Sequence, residues 1–284
     1  MEVIRTVHEL RGKLTEPKNG LVGFVPTMGF LHAGHVSLLE QAKQECGIVV
    51  LSIFVNPLQF GPNEDFERYP RDTERDLALA EQSGADYVFM PEITEMYPEP
   101  IKTVIKVAGL TDSLCGASRP GHFDGVATVV AKLLHIVEPD RVYFGMKDAQ
   151  QVAVIEQMVK DLHIRTTVVP CPIVRETDGL ALSSRNVYLS PEERKQALAL
   201  SQALQLAKDW LRENGDIDFL EKRIIRFIQQ SPIAEVDYVK ALQYPSLTEI
   251  NHFDEIKSGK SLLIALAVKY GRTRLIDNVL IELK

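Results

Sequence analysis

LVGFVPTMGFLHAGHVSLLEQAKQ, residues 21–44, carries a short β-branched run, a glycine turn and an amphipathic stretch in direct succession. The candidate strand Leu21–Val25 hands the chain to Pro26-Thr27-Met28-Gly29-Phe30-Leu31-His32-Ala33-Gly34-His35, and a helical pattern over Gly34–Gln44 follows. Gly29 can take backbone angles closed to other residues, and Gly34 removes a side chain where a ligand must come close. A helix starting near Gly34 aims unpaired N–H groups and its positive dipole end at the loop, which makes a natural phosphate site. His32 and His35 can reach one phosphate group and stabilise charge that develops during its transfer. Histidines three apart are common, and capping or solvent exposure explains many such pairs. Strand, glycine turn, His-x-Gly-His and helix in this order is the stronger signal.

The same alternation continues outward. Further candidate strands are Ile48–Val55, Tyr87–Met90, Val104–Val107, Arg141–Phe144 and Thr166–Val169, with helical stretches Asp72–Ser83, Gly125–Val137 and Ala149–Leu162 between them. Strands alternating with helices predict a parallel sheet covered on both faces. The run IVVLSIFV is apolar apart from Ser52, as expected of a central strand buried on both sides. After about Ile173 the pattern changes. Ser190 reads as an N-cap and Pro191 as the first helical position of one helix running to about Gly215. A helix over Asp218–Gln230 and strands Val236–Leu242, Leu262–Val268 and Leu275–Leu283 come next. The expected fold is therefore α/β: a Rossmann-like parallel-sheet domain over 1–173 and a smaller α+β C-terminal domain over 174–284.

Bulk properties exclude several classes. A net charge of −7 on 284 residues argues against nucleic acid as the main partner. Cys46, Cys115 and Cys171 form no close pair, which fits buried thiols in a reducing compartment better than a disulfide framework. No apolar run approaches the ~20 residues that span a bilayer, and the N-terminus lacks a signal-peptide pattern. A cytoplasmic enzyme with no membrane partner is expected. No Cys/His spacing suggests a zinc site, and the chain lacks both GxxxxGK[ST] and GxGxxG.

Three further motifs follow strands or sit at the expected domain boundary. In Phe54-Val55-Asn56-Pro57-Leu58-Gln59-Phe60-Gly61 the amides of Asn56 and Gln59 can bind a hydroxyl or carboxylate beyond the strand end. Turn chemistry from Asn-Pro explains the same residues. In Gly145-Met146-Lys147-Asp148-Ala149-Gln150-Gln151, Gly145 opens a turn and Lys147 offers a point charge for phosphate. Asp148 caps the next helix or meets a ribose, and Gln151 can share the face of Lys147. In Thr177–Asn186 the hydroxyls of Ser183 and Ser184 with the Arg185 guanidinium suit an oxyanion or triphosphate. A polar linker accounts for that stretch equally well. Asp72 and Asp76, four apart on a helix, read as a solvated face more readily than as Mg²⁺ ligands. Gly121–Gly125 reads as a turn before a helix, with a place in the lining of the substrate pocket as the alternative.

PTMGFLHAGH, FVNPLQFG, YPRD, GHFDGV, FGMKDAQQ and RETDGLALSSRN together resemble the pantothenate synthetase (pantoate–β-alanine ligase) family in order and spacing, over nearly the whole chain. The resemblance implies an ATP-dependent ligase with a pantoyl-adenylate intermediate, releasing AMP and pyrophosphate, with Mg²⁺ as cofactor. It assigns Met28, Gly29, Phe30, Leu31, His32, Ala33, Gly34 and His35 to ATP, with Gly145, Met146, Lys147, Asp148, Val174, Leu182, Ser183, Ser184 and Arg185. His35, His32, Lys147 and Arg185 take the catalytic roles, and Gln59, Gln151 and Asn56 the substrate pantoate, with Gln59 also touching β-alanine. No residue is assigned as a metal ligand. The resemblance further implies a homodimer and a C-terminal domain that closes over the active site. A nucleotidyltransferase that stops after nucleotidyl transfer, or a non-catalytic nucleotide-binding module, are the competing readings. Two glutamines for a second substrate beside both histidines disfavour the module.

Overall fold

A computed structural model describes residues 1–15, 20–62 and 64–282. Contact density separates the chain into two compact units. The first comprises Met1–Ala108, Arg119–Met146 and Val154–Pro172, and the second Gly109–Ser118, Lys147–Ala153 and Ile173–Lys284.

The chain order begins β1 (Glu2–Ile4), α1 (Val7–Thr15), β2 (Val22–Thr27), α2 (Ala33–Glu45), β3 (Ile48–Ile53), α3 (Thr73–Gln82), β4 (Tyr87–Phe89) and α4 (Ile93–Met96). Then come α5 (Leu114–Ser118), α6 (His122–Val137), β5 (Arg141–Gly145), α7 (Ala149–Asp161) and β6 (Thr167–Cys171). In the first unit six parallel strands lie in the order β1-β4-β3-β2-β5-β6. From β2 the chain builds outward to one side through β3 and β4, then returns to place β5 on the other. The switch point, where ligands settle in open α/β sheets, therefore lies between the carboxyl ends of β2 and β5. Val49, Val50 and Leu51 of β3 are fully buried, as a strand covered on both faces must be.

Register sets what leaves that edge together. Thr27 pairs with Ile53, so the chain departs β2 and β3 at the same level. Gly23 pairs with Arg141, which brings Gly145 at the end of β5 to about that level as well.

The second unit continues with α8 (Pro191–Ala197), α9 (Ala199–Asn214), α10 (Ile217–Ile228), β7 (Ala234–Tyr244), β8 (Thr248–Glu249), β9 (Ser261–Tyr270) and β10 (Thr273–Glu282). Its antiparallel sheet runs β10-β9-β7-β8. Leu204, Leu211, Leu220 and Ile224 from the helices meet Ile264, Leu266 and Val268 from the sheet in one core. The α/β and α+β architectures expected from the sequence are both present.

Three details differ from the sequence reading, and one expected end point is untested. Val104–Val107 is no strand: Ile105 N–H donates to Thr128 Oγ1 (2.9 Å) rather than to a neighbouring strand, and Val104 is exposed although Val107 is buried. The expected single helix to Gly215 breaks at Leu198, where Ser201 Oγ donates to the Leu198 carbonyl (3.1 Å) and competes with the backbone ladder. β1, three residues long, is too short to show a period, yet it pairs with β4. Leu283, the end of the last expected strand, lies outside the described residues.

Candidate active site

In the first unit, the loop after β2 is built around a reciprocal helix cap. His32 precedes α2 in an extended conformation, and its Nδ1 accepts from Gly34 N–H (3.1 Å). The Nδ1 of His35 accepts in turn from His32 N–H (3.3 Å). Imidazoles thus replace the usual Ser and Glu of a capping box. A neutral imidazole whose Nδ1 accepts carries its proton on Nε2. Both rings therefore hold a donor on the nitrogen away from the cap, and they stack at 4.0 Å between centroids. Two N–H donors on adjacent rings at a helix N-terminus suit a phosphate group.

The loop is held from below. Thr27 Oγ1 accepts from Gly29 N–H (3.2 Å) and donates to Ser52 O (2.8 Å). Gly29 has φ +81°, and a side chain there would lie 2.9 Å from Ile53 Cγ2 and 3.0 Å from Asp76 Oδ2. Asp76 is 2 % exposed, so the solvated face expected of it is corrected. Its carboxylate accepts from Phe30 N–H (2.7 Å) and Leu31 N–H (2.6 Å). Burial raises its pKa above the ordinary aspartate range, and the two backbone bonds and Arg75 offset only part of that. Asp72 caps α3 by accepting from Arg75 N–H (3.2 Å). The two acids of this pair thus serve the backbone.

Gln59 sits in a 3₁₀ turn, Pro57–Gln59, and its Nε2 lies 3.1 Å from Met28 Sδ. Asn56 is 1 % exposed and its amide is committed within the protein. Its Oδ1 accepts from Leu58 N–H (3.3 Å) and Tyr97 OH (2.9 Å), and its Nδ2 donates to Gly125 O (3.2 Å) and Gln59 Oε1 (3.3 Å). Asn56, expected at the substrate, is thereby placed as the support of Gln59. Burial pushes the Tyr97 hydroxyl up to about 12, which keeps it a neutral donor. His122 Nδ1 contacts Gln59 O (2.8 Å), and Arg119 pairs with both oxygens of Glu64 (2.7 and 2.6 Å). Burial by itself would raise Glu64, but the Arg119 pair outweighs it and the carboxyl is held low.

Gly125 lets α6 reach this turn. A side chain there would sit 2.3 Å from the Leu58 carbonyl oxygen and 2.8 Å from Gln59 Cα, both backbone atoms. Gly125→Ala is expected to cost about 1–3 kcal/mol, the range for overpacking a tight contact. Denaturant unfolding measures it, and an unchanged stability contradicts this close approach.

The second unit, taken by itself, gathers the other motifs. Lys147 and Asp148 lie in a 3₁₀ turn ahead of α7, and Asp148 Oδ1 accepts from Gln151 N–H (2.9 Å), the cap role among the two expected. Asn278 Nδ2 on β10 donates to the Lys147 carbonyl (2.9 Å). Lys147, Asp148, Tyr238, Asp277 and Asn278 line one small cavity. A bulge between Val236 and Tyr238 shifts the register of β7 ahead of Tyr238. Burial of the ammonium, then the charge of Arg185, lowers the Lys147 pKa, while Asp148, Asp277 and Cys115 act against the shift. Asp277 is itself paired with Arg175 (2.7 and 2.9 Å). A desolvated ammonium near a guanidinium is poised to gain from an incoming anion.

Val174 and Leu182 face each other across a hairpin, Leu182 N–H donating to Val174 O (3.0 Å), with Gly179 at φ +98° in its turn. Ser183 Oγ then accepts from Arg185 N–H (3.3 Å) and caps the 3₁₀ turn Ser184–Tyr188. Gln150, assigned no role from the sequence, holds the 110–115 segment through Leu110 O, Ser113 O and Cys115 N. All three cysteines are buried and unpaired with one another. Among the described residues no group of three or more His, Cys, Asp or Glu is placed to hold a metal ion, and no helix is long and apolar enough to cross a membrane.

The profile of the Pantoate-beta-alanine ligase family matches residues 2–280. The pantothenate synthetase of Acetivibrio thermocellus is 55% identical over 99% of this chain and 100% of its own length. A crystal structure of the pantothenate synthetase from Thermus thermophilus superposes with a TM-score of 0.91 at 47% identity, covering 98% of this chain and 99% of that one. The pantoate–β-alanine ligase of Francisella tularensis, solved in complex with β-γ ATP and β-alanine, gives a TM-score of 0.80 at 34% identity, over 99% and 97% of the two chains.

Proposed function

The chain belongs to the pantoate–β-alanine ligase family, and from that premise we propose that it joins pantoate to β-alanine through a pantoyl adenylate, releasing pyrophosphate and AMP. The observation that carries this reading is the stacked pair His32 and His35, each with an accepting Nδ1, at the N-terminus of α2.

In the first step a pantoate carboxylate oxygen attacks the α-phosphorus of ATP, and the bond from that phosphorus to the bridging oxygen breaks. The Nε2–H groups of His32 and His35 stabilise charge on the α-phosphoryl oxygens, together with the α2 N-terminus. Lys147 and Arg185 supply positive charge to the phosphates. Met28 to Ala33, Gly34, Gly145, Met146, Asp148, Val174, Leu182, Ser183 and Ser184 complete the nucleotide contacts. Gln59 and Gln151 orient pantoate, with Asn56 holding Gln59 in place. In the second step the β-alanine amine attacks the acyl carbon, AMP leaves with the former carboxylate oxygen, and the amine gives up a proton. No step needs a protein nucleophile, so catalysis rests on positioning and charge stabilisation.

Mg²⁺ enters as the partner of ATP. Asp76, Asp72 and Asp277 are engaged with backbone or arginine, and this donor set suits an ion held by substrate phosphates and water rather than a protein cage. A cytoplasmic homodimer is part of the same proposal, supported by the family resemblance and the buried free thiols.

Purified protein with ATP, Mg²⁺ and pantoate is expected to release pyrophosphate, and to form AMP in steady turnover only after β-alanine is added. A protein that makes no pantothenate from all three substrates overturns the assignment.

A further inference from the structure

We propose that Asp76 is a positioning residue for the first step, fixing the loop ahead of α2 so that the His32–His35 donor pair is formed before substrate arrives. This rests on the assignment of ATP to that loop.

The geometry is specific. Phe30 and Leu31 are the two residues immediately before the His32 cap, and their N–H groups each meet a different oxygen of the Asp76 carboxylate, at 2.7 and 2.6 Å. Phe30 has φ +51°, an uncommon conformation for a bulky side chain, and Gly29 has φ +81°. Two consecutive residues in the left-handed region persist only where their surroundings hold them. α3 grips the loop a second time through Arg75, whose guanidinium lies 5.2 Å from the Phe30 ring centroid. Thr73, Glu74 and Arg75 beside Asp76 are exposed, so the buried carboxylate is the one acid of this turn directed inward.

The carboxylate offers a separate oxygen to each of the two N–H groups. An asparagine at the same place accepts with its carbonyl and sets an NH₂ donor against the other N–H. A buried negative charge near a proposed polyphosphate site opposes ligand binding electrostatically, which makes its presence there a geometric requirement.

The test compares wild type with Asp76→Asn. Folded fraction and unfolding midpoint are measured first, then the rate of pyrophosphate release from ATP and pantoate, and the KM for β-alanine. The expected result per folded molecule is a kcat for pyrophosphate release lowered ~10-fold or more, roughly the factor that corresponds to losing one net hydrogen bond to a charged group. The KM for β-alanine stays within about twofold. Amide exchange at Phe30 and Leu31 accelerates. A rate per folded molecule within about twofold of wild type overturns the proposal, as does a loss that tracks the unfolded fraction alone. Should Asp76→Asn fail to fold, exchange in the wild type decides: unprotected Phe30 and Leu31 amides overturn the proposal and strong protection supports it. A wild type without pantothenate formation rejects the proposed function instead, and Asp76 is then judged by ATP affinity in calorimetry. There a ~10-fold weakening in Asp76→Asn supports its role and an unchanged affinity removes it.

Discussion

Replacing His35 by alanine is expected to lower the rate of pyrophosphate release from ATP and pantoate by ~10²-fold or more, the scale of losing one donor to developing charge. Two contributions combine. The Nε2–H of His35 is lost from the phosphoryl oxygens, and the His32 N–H loses its acceptor at the helix cap. Loss of a cap costs about 0.5–2 kcal/mol of stability, so the rate is taken per folded molecule. Single-turnover quench measurements read it directly. A rate within a few-fold of wild type removes His35 from the transition state.

Lys147→Met is expected to have an effect of similar or greater size, ~10²–10³-fold on the same step, because methionine keeps much of the volume and removes the charge. The pH dependence sharpens this. Burial and the charge of Arg185 depress the Lys147 pKa, and only the cationic form stabilises phosphate. The contribution is therefore complete below that pKa and lost as pH rises through it. The profile of kcat/KM for ATP, which reports the free enzyme, should show an alkaline limb below the usual lysine range that is absent in Lys147→Met. Stability should hold or rise, since a desolvated cation has been removed. A loss confined to the β-alanine step places Lys147 elsewhere in the reaction.

Most of the fold was legible because its strands obey simple rules. Ile48–Ile53 is apolar but for Ser52 and lies centrally in the sheet, and the Pro191 helix carries its cap and proline where a helix start demands them. Val104–Val107 misled because its three β-branched residues, Val104, Ile105 and Val107, look alike whether or not a partner strand exists. The site was legible where chemistry and backbone coincide, as in the His32–His35 loop and the Lys147 turn. It was hidden where a side chain acts on a distant segment. Asp76 lies 45 residues beyond Leu31 and on a helix whose neighbours are exposed, so its local pattern is that of a solvated face. Asn278 reaches Lys147 across 131 positions, and Gly125 serves the Gln59 turn by lacking a side chain and by its carbonyl, which accepts from Asn56. Asn56 shows the opposite: its type suits a ligand, but burial and four partners make it a support.

The central claim is attack of the pantoate carboxylate on the α-phosphorus, and oxygen tracing tests it. Pantoate labelled with ¹⁸O in both carboxylate oxygens is turned over with ATP, Mg²⁺ and β-alanine, and the products are weighed by mass spectrometry. Adenylation predicts one ¹⁸O in AMP and one left in the new amide carbonyl of pantothenate, with none in pyrophosphate. Label appearing in inorganic phosphate with formation of ADP, or AMP free of ¹⁸O, contradicts it.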